Sequence, residues 1–271
     1  MTAPGGTNME LLVTILLLFI TGAITGAIGG VLGIGGASIL VPALTLAFGL
    51  PIHLAIAVSL VNNVAVSVAA TMRYHNKGLL YRRIIFIMNA GSVIGIVLGT
   101  LISTRTSGDT LKILFGAFLL VMVAGAFLRR NSVEDDKPDD PTPKEEAGLT
   151  ALGFVMGLLG ALLGLGGGTV AVPALNTIFK MPLKRAIANS LATIILSSSL
   201  GALIYFLLGS GTLFSGESAL ITAAAILPGS VLGATAGSAH SEHIETRYIK
   251  LIFYALLLYI AYTMITSGLG W

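Results

Sequence analysis

The chain has 271 residues, of which 55% belong to the AVILMFWYC class and only 10% are charged, with a mean hydropathy of +0.94. Ordinary soluble domains carry roughly 25% charged residues, so a soluble enzyme, a nucleic-acid binder and a disordered chain are excluded. What remains is an all-α polytopic membrane protein with a formal net charge of +3 and no cysteine, which also excludes disulfides, thiolate metal sites and thiol catalysis.

The first apolar run extends from Leu11 to about Leu32. It is longer than the core of a cleavable signal and is preceded by Glu10, so it reads as a membrane helix whose N-terminus lies outside the cytoplasm. Further apolar segments follow at about 37–49, 52–72, 84–103 and 110–128. Residues 129–147 then carry 11 of the 27 formal charges together with Pro138, Pro141 and Pro143, and read as a solvated linker. Five more apolar segments occupy about 148–163, 168–179, 183–208, 218–239 and 248–267. The chain therefore divides into a first membrane repeat (1–128), an acidic cytoplasmic linker (129–147) and a second membrane repeat (148–271).

The two halves are copies of one sequence. Residues 33–60 and 164–191 align without a gap at an offset of 131, with 14 of 28 positions identical. The matches include Gly33/Gly164, Gly35/Gly166, Gly36/Gly167, Pro42/Pro173, Pro51/Pro182 and Ser59/Ser190. A second block, GSVIG at 91–95 and GSVLG at 229–233, repeats at an offset of 138, placing seven extra residues near Leu208–Glu217.

The second segment of each half is too short to span. Thirteen residues at 1.5 Å each give about 20 Å, against ~30 Å of hydrocarbon, so it is either a short span or one arm of a re-entrant hairpin. If segments one and two together return the chain to its starting side, 13 of the 15 Lys and Arg residues share one face, and only Arg105 and Lys112 lie on the other. The positive-inside rule favours that arrangement. It puts both termini outside and the linker in the cytoplasm. The expected fold is two inverted repeats of about five helical segments each, with Gly-rich broken or re-entrant helices. Inverted repeats are characteristic of secondary transporters.

Glycine is concentrated where each first segment gives way to the short one, at Gly26–Gly36 and Gly157–Gly168. For Gly22, Gly26, Gly29, Gly153 and Gly157 the expected role is close helix packing. For Gly33, Gly35, Gly36 and Gly164–Gly168 it is an unwound break. Ser38 and Thr169 are predicted N-caps of the short helices. Unwound backbone N–H groups beside the positive end of a helix form a site for a small anion without any charged side chain. The prolines Pro42, Pro51, Pro173 and Pro182 mark hinges or helix breaks.

None of the 12 acidic residues falls mid-segment, which argues against a cation pump and for an anion or a neutral solute. The absence leaves energy coupling, by H+ or Na+, without an obvious carrier. His53, His240 and His243 lie near segment ends and read as interfacial histidines. Tyr74, Tyr81 and Trp271 read as interfacial anchors. Polar residues enter the membrane on the third segment of each half: Ser59, Asn62, Asn63, Ser67 and Thr71, then Asn189, Ser190, Thr193 and Ser197–Ser199. They serve either helix–helix hydrogen bonding or a polar pathway facing the glycine breaks. No nucleophile is paired with a deep base, so the chain is not read as an enzyme. It contains no nucleotide-binding motif and calls for no cofactor and no metal.

The pattern G-x-G-G-[AG]-x-x-x-V-P-x-L, followed by an Ala-x-x-x-Ser-Leu element, occurs in both halves. Its residues are Gly33, Gly35, Gly36, Val41, Pro42, Leu44 and Ser59-Leu60, then Gly164, Gly166, Gly167, Gly168, Val172, Pro173, Leu175 and Ser190-Leu191. With this pattern the chain resembles the TauE/SafE family of membrane permeases over essentially its whole length outside the linker. The resemblance implies export of sulfite, organosulfonates or another small anion across the cell (inner) membrane. The residues expected to bind it are the break glycines with Ser38, Ser59, Asn62, Asn63, Thr169, Asn189 and Ser190. A passive small-anion channel and a non-transporting membrane scaffold are the alternative readings. The expected partners are a small anionic substrate, the lipid bilayer and a coupling ion, with no nucleic acid; the oligomeric state is left open.

Overall fold

The structure, a computed structural model, describes residues 8–127, 141–240 and 246–270. Its helices are α1 (Asn8–Leu32), α2 (Ala37–Pro42), α3 (Ile52–Asn76), α4 (Arg82–Arg105), α5 (Gly108–Phe127), α6 (Pro143–Leu163), α7 (Gly168–Thr177), α8 (Leu183–Gly209), α9 (Gly216–His240) and α10 (Thr246–Gly268). A π-helical turn over Ala43–Ala47 continues α2. Seven of these helices, from α1 to α9 without α2 and α7, are long and apolar enough to cross a membrane. The chain is thus an all-α, multi-pass membrane protein. The short segments are helical but brief: the ten residues of α7 rise only about 15 Å.

Neighbouring helices come from different halves. α1 lies along α9, α6 lies along α4, α5 pairs with α10, and α3 pairs with α8 at the centre. Glycine explains the first two pairings. A Cβ at Gly22 or Gly26 of α1 would collide with the carbonyl oxygens of Ile226 or Ser230 in α9. Conversely, one at Gly229 or Gly233 of α9 would strike Phe19 or Ala23. The same contacts recur between α4 and α6, where Gly91, Gly95 and Gly99 meet the carbonyls of Thr150, Phe154 and Leu158, while Gly153 and Gly157 meet those of Met88 and Ser92. In hydrocarbon, where lipid is as apolar as leucine, such small-residue faces let backbones approach and hold helices together. Gly29 differs from the expected helix–helix role, because it packs on the backbone of Gly35 and Gly36 in its own break.

α3 and α8 carry the polar residues, and they are the buried pair. Ser59, Asn62, Asn63, Ser67, Asn189, Ser190 and Thr193 have no solvent-exposed surface. The lipid-facing sides of α1, α4, α8 and α9 instead present Leu, Ile, Val and Phe, among them Leu12, Phe86, Leu207 and Ile221.

Several expectations are corrected. α6 begins at Pro143, inside the stretch assigned to the linker, because Thr142 caps it and Glu145 returns the bond in a capping box. Residues 129–140 of the linker, with His243 and Trp271, lie outside the described residues. The extra residues of the second half fall around Leu208–Glu217, where the end of α8, the loop after it and the start of α9 are longer than their counterparts. Tyr74 and Tyr81 are buried rather than interfacial. The Tyr74 hydroxyl donates to Gly30 O (3.2 Å), and the Arg185 guanidinium lies 4.7 Å from the centre of the Tyr81 ring.

Candidate substrate site at the paired glycine breaks

The breaks are unwound by left-handed backbone. Gly33, Gly35 and Gly36 have φ of 73°, 76° and 81°, and Gly164, Gly166 and Gly167 have 73°, 66° and 82°. A side chain at these angles is strained, which is why the sequence concentrates glycine here. Gly168 belongs instead to the first turn of α7.

This geometry overturns the predicted caps. The N-caps of α2 and α7 are Gly36 and Gly167, in the left-handed region and without a side-chain cap. Ser38 and Thr169 are each the second residue inside the helix. Their hydroxyls are buried and have no hydrogen-bond partner. A glycine cap turns the chain sharply enough to bring each break back against its own first helix: a Cβ at Gly36 would strike Thr25 O and one at Gly167 would strike Met156 O.

Each break is held by the central helix of the other half. Ser59 Oγ donates to Gly164 O (2.8 Å), and Ser190 Oγ donates to Gly33 O (3.2 Å). The breaks also touch each other, since a Cβ on Gly168 would lie 2.6 Å from Gly33 O. Asn63 stands between them. Its Nδ2 donates to Gly164 O (3.1 Å), while a Cβ at Gly35 would sit 2.8 Å from its Oδ1 and one at Gly166 would sit 2.9 Å from its Nδ2. The second half places Ile194 at the equivalent position, so this amide occurs once at the junction.

Several buried polar groups around the junction have no protein partner. Asn63 Oδ1, both side-chain atoms of Asn62, and the hydroxyls of Ser38, Ser67, Thr71, Thr169 and Ser198 are buried without a partner. An unmet buried polar group costs about 1–3 kcal/mol. Of these groups, Asn63 Oδ1 and Ser198 Oγ lie against the break glycines themselves and are free to bond a polar ligand. Ser198, which the sequence offered only as part of a serine run, belongs to this set: its Oγ would lie 3.1 Å from a Cβ at Gly166. Asn189 is engaged elsewhere. Its Oδ1 accepts from Tyr81 N (2.7 Å), and its Nδ2 donates to Leu79 O (3.2 Å) and Arg185 O (2.8 Å), tying the loop after α3 to the start of α8.

The prolines frame the breaks in two ways. Pro42 lies inside α2 just before the π-helical turn, and Pro173 lies inside α7. Pro51 and Pro182 are the N-caps of α3 and α8, with φ of −54° and −51°. Their fixed φ suits a helix entry, and Pro42 and Pro173 withhold a backbone donor within the short helices.

Residues 18–264 match the family described as "Sulfite exporter TauE/SafE". The chain is 26% identical over 93% of its length to a "Probable membrane transporter protein YunE" of Bacillus subtilis, of which it covers 98%. It is 33% identical over 74% of its length to a "Probable membrane transporter protein MJ0441" of Methanocaldococcus jannaschii, covering 75% of that chain. It is also 26% identical to a "Probable membrane transporter protein MamO" of Paramagnetospirillum magneticum, spanning 46% of that longer relative. No solved structure matches. The family and these relatives are membrane transporters rather than enzymes.

Proposed function

The chain belongs to the TauE/SafE sulfite exporter family of membrane transporters, and on that premise we propose that it exports a small oxyanion, sulfite or a sulfonate, by alternating access. The observation that carries the reading is the unsatisfied polar junction between two glycine breaks, each bonded to the other half by a serine. Backbone N–H groups at the start of α7 and of the α2 segment have no intrahelical acceptor. They point the positive ends of helix dipoles at the junction. Asn62, Asn63, Ser38, Thr169 and Ser198 add neutral donors. None of the described spans carries a carboxylate at this depth, so an anion meets no like charge.

In this reading the two repeats are inverted, both termini are outside and the linker is cytoplasmic. The sorting of the cations supports it. Alternating access breaks one serine–glycine bond at a time: releasing Ser59 from Gly164 frees one break, and releasing Ser190 from Gly33 frees the other. Pro42 and Pro173 give the short helices room to tilt. Asn189 acts as a brace of the α3–α4 loop rather than as a ligand.

The test is counterflow of labelled sulfite in proteoliposomes. Asn63→Asp is close to isosteric and places a carboxylate at the junction; Asn63→Leu removes the amide and keeps the branched shape of the side chain. Both variants are expected to lower flux by at least tenfold while eluting as folded protein. Undiminished sulfite flux in both would refute the site. Currents far above carrier turnover would replace the carrier by a channel.

A further inference from the structure

The first turn of α3 holds a buried histidine that transport through the glycine junction does not use. His53 is 8% exposed, whereas its position in the sequence suggested an interfacial residue. Its Nδ1 lies 2.9 Å from the Tyr205 hydroxyl of α8, and that hydroxyl lies 3.2 Å from Ser103 Oγ of α4. Tyr205 is fully buried and stacks on Phe214 at 5.9 Å. Three helices from both halves therefore meet on one titratable ring.

This short chain can hold a proton in two ways. With a neutral ring, Tyr205 donates to Nδ1 and Ser103 donates to Tyr205. With a charged ring, Nδ1–H donates to Tyr205, and Tyr205 turns its own proton to Ser103. One proton is gained, and no other group changes ionisation. The charged form is nonetheless badly placed, at the N-terminal, positive end of α3. Besides Tyr205, the ring hydrogen-bonds the backbone of Thr106 after α4, a neutral partner that offsets the charge only in part. Tyr205 is the titratable partner from α8. On the turn from α4 to α5 the charged groups are Arg105, Asp109 and Lys112, and Asp109 pairs with Lys112 at 3.0 Å. At the start of α9 the charged group is Glu217. Among the described residues no carboxylate hydrogen-bonds to His53. The corresponding residue of the second half is Lys184, which is exposed and whose charge therefore meets water.

We propose that His53, with Tyr205 and Ser103, is a proton-binding site at the outer end of the α3–α8 contact, and that protonation parts this contact to hydrate the ring. The proposal rests on the transporter reading above and gives it H+ as its coupling ion. A proton taken up from the outer solution favours the state open to that side; its loss lets α3, α4 and α8 close.

The chain has no cysteine, so a single Ala57→Cys, one helical turn beyond His53 on α3, reports opening through labelling by an impermeant thiol reagent without any substrate. Labelling of the His53 protein divided by that of His53→Gln at the same pH cancels the ionisation of the thiol. That ratio is expected to rise about tenfold from pH 8 to about pH 5.5. Tyr205→Phe keeps the histidine and is expected to shift the midpoint of the rise, which a merely structural tyrosine would not do. A ratio that stays flat with pH overturns the proton site, whatever the flux. Should His53→Gln fail to fold, a labelling midpoint unchanged by Tyr205→Phe overturns it equally. A rising ratio without sulfite flux keeps the proton site and discards the proposed substrate.

Discussion

Ser59 donates its hydroxyl proton to the carbonyl of Gly164, 105 residues away, at 2.8 Å. The same carbonyl also accepts from Asn63, whereas Gly33 O, its counterpart, receives one side-chain bond, from Ser190. The two serines are related by the repeat, yet they are not equal in energy. Ser59→Ala leaves Gly164 O with a donor and is expected to cost about 1 kcal/mol. Ser190→Ala leaves Gly33 O without a side-chain donor and is expected to cost nearer 2–3 kcal/mol. Thermal unfolding of the purified variants in detergent decides between this order and equal losses.

The interlocked helices make a sharper contrast. Gly95→Ala places a methyl group against Phe154 O, where backbone must move, and is expected to destabilise the fold by about 1–3 kcal/mol. Gly125, in α5, has nothing within 4 Å of a Cβ. Gly125→Ala is expected to leave stability unchanged or raise it by up to about 1 kcal/mol, through helix propensity. Similar yields and melting temperatures for the two variants would contradict the packing argument.

Lys180 is the one non-glycine residue with positive φ among the described residues, at 53°, and its repeat counterpart Gly49 has φ 64°. A side chain in the left-handed region costs about 1–2 kcal/mol. Lys180→Gly is therefore expected to raise the melting temperature, and Gly49→Lys to lower it. A fall on Lys180→Gly would mean that the lysine side chain contributes more than its backbone strain removes.

Orientation is open to direct measurement. Single cysteines at Lys77, after α3, and Thr212, after α8, are expected to be labelled from opposite faces: Lys77→Cys from the cytoplasm and Thr212→Cys from outside. Labelling of both from the same face would refute the inverted topology and the outer placement of His53.

Much of the architecture was legible in the sequence, because hydrocarbon imposes a simple rule. Every span must be apolar, long and helical, so the ten segments could be read off the apolar runs, and α3 and α8 begin right after Pro51 and Pro182. The glycine breaks were legible because glycine tolerates a backbone that other residues do not. The N-caps differ from expectation, since a serine or threonine near a helix start looks the same in sequence whether it caps the helix or is its second residue. Only φ at Gly36 and Gly167 separates the two cases. Tyr74, Tyr81 and His53 were misread for a related reason: aromatic residues near helix ends suit an interface, and what buried them was a neighbouring helix from the other half.

By itself, then, the sequence determined the membrane class, the duplication and the composition of the breaks, all of which follow from local backbone preference and from the solvent. Which half holds which break was decided only by tertiary structure. The partners of Ser59, Asn63, Ser190 and Asn189 lie more than 100 residues away, and no local pattern encodes an exchange between two copies of the same motif. Packing of α3 on α8 makes that exchange. It leaves one asymmetric amide, Asn63, between two nearly symmetric breaks.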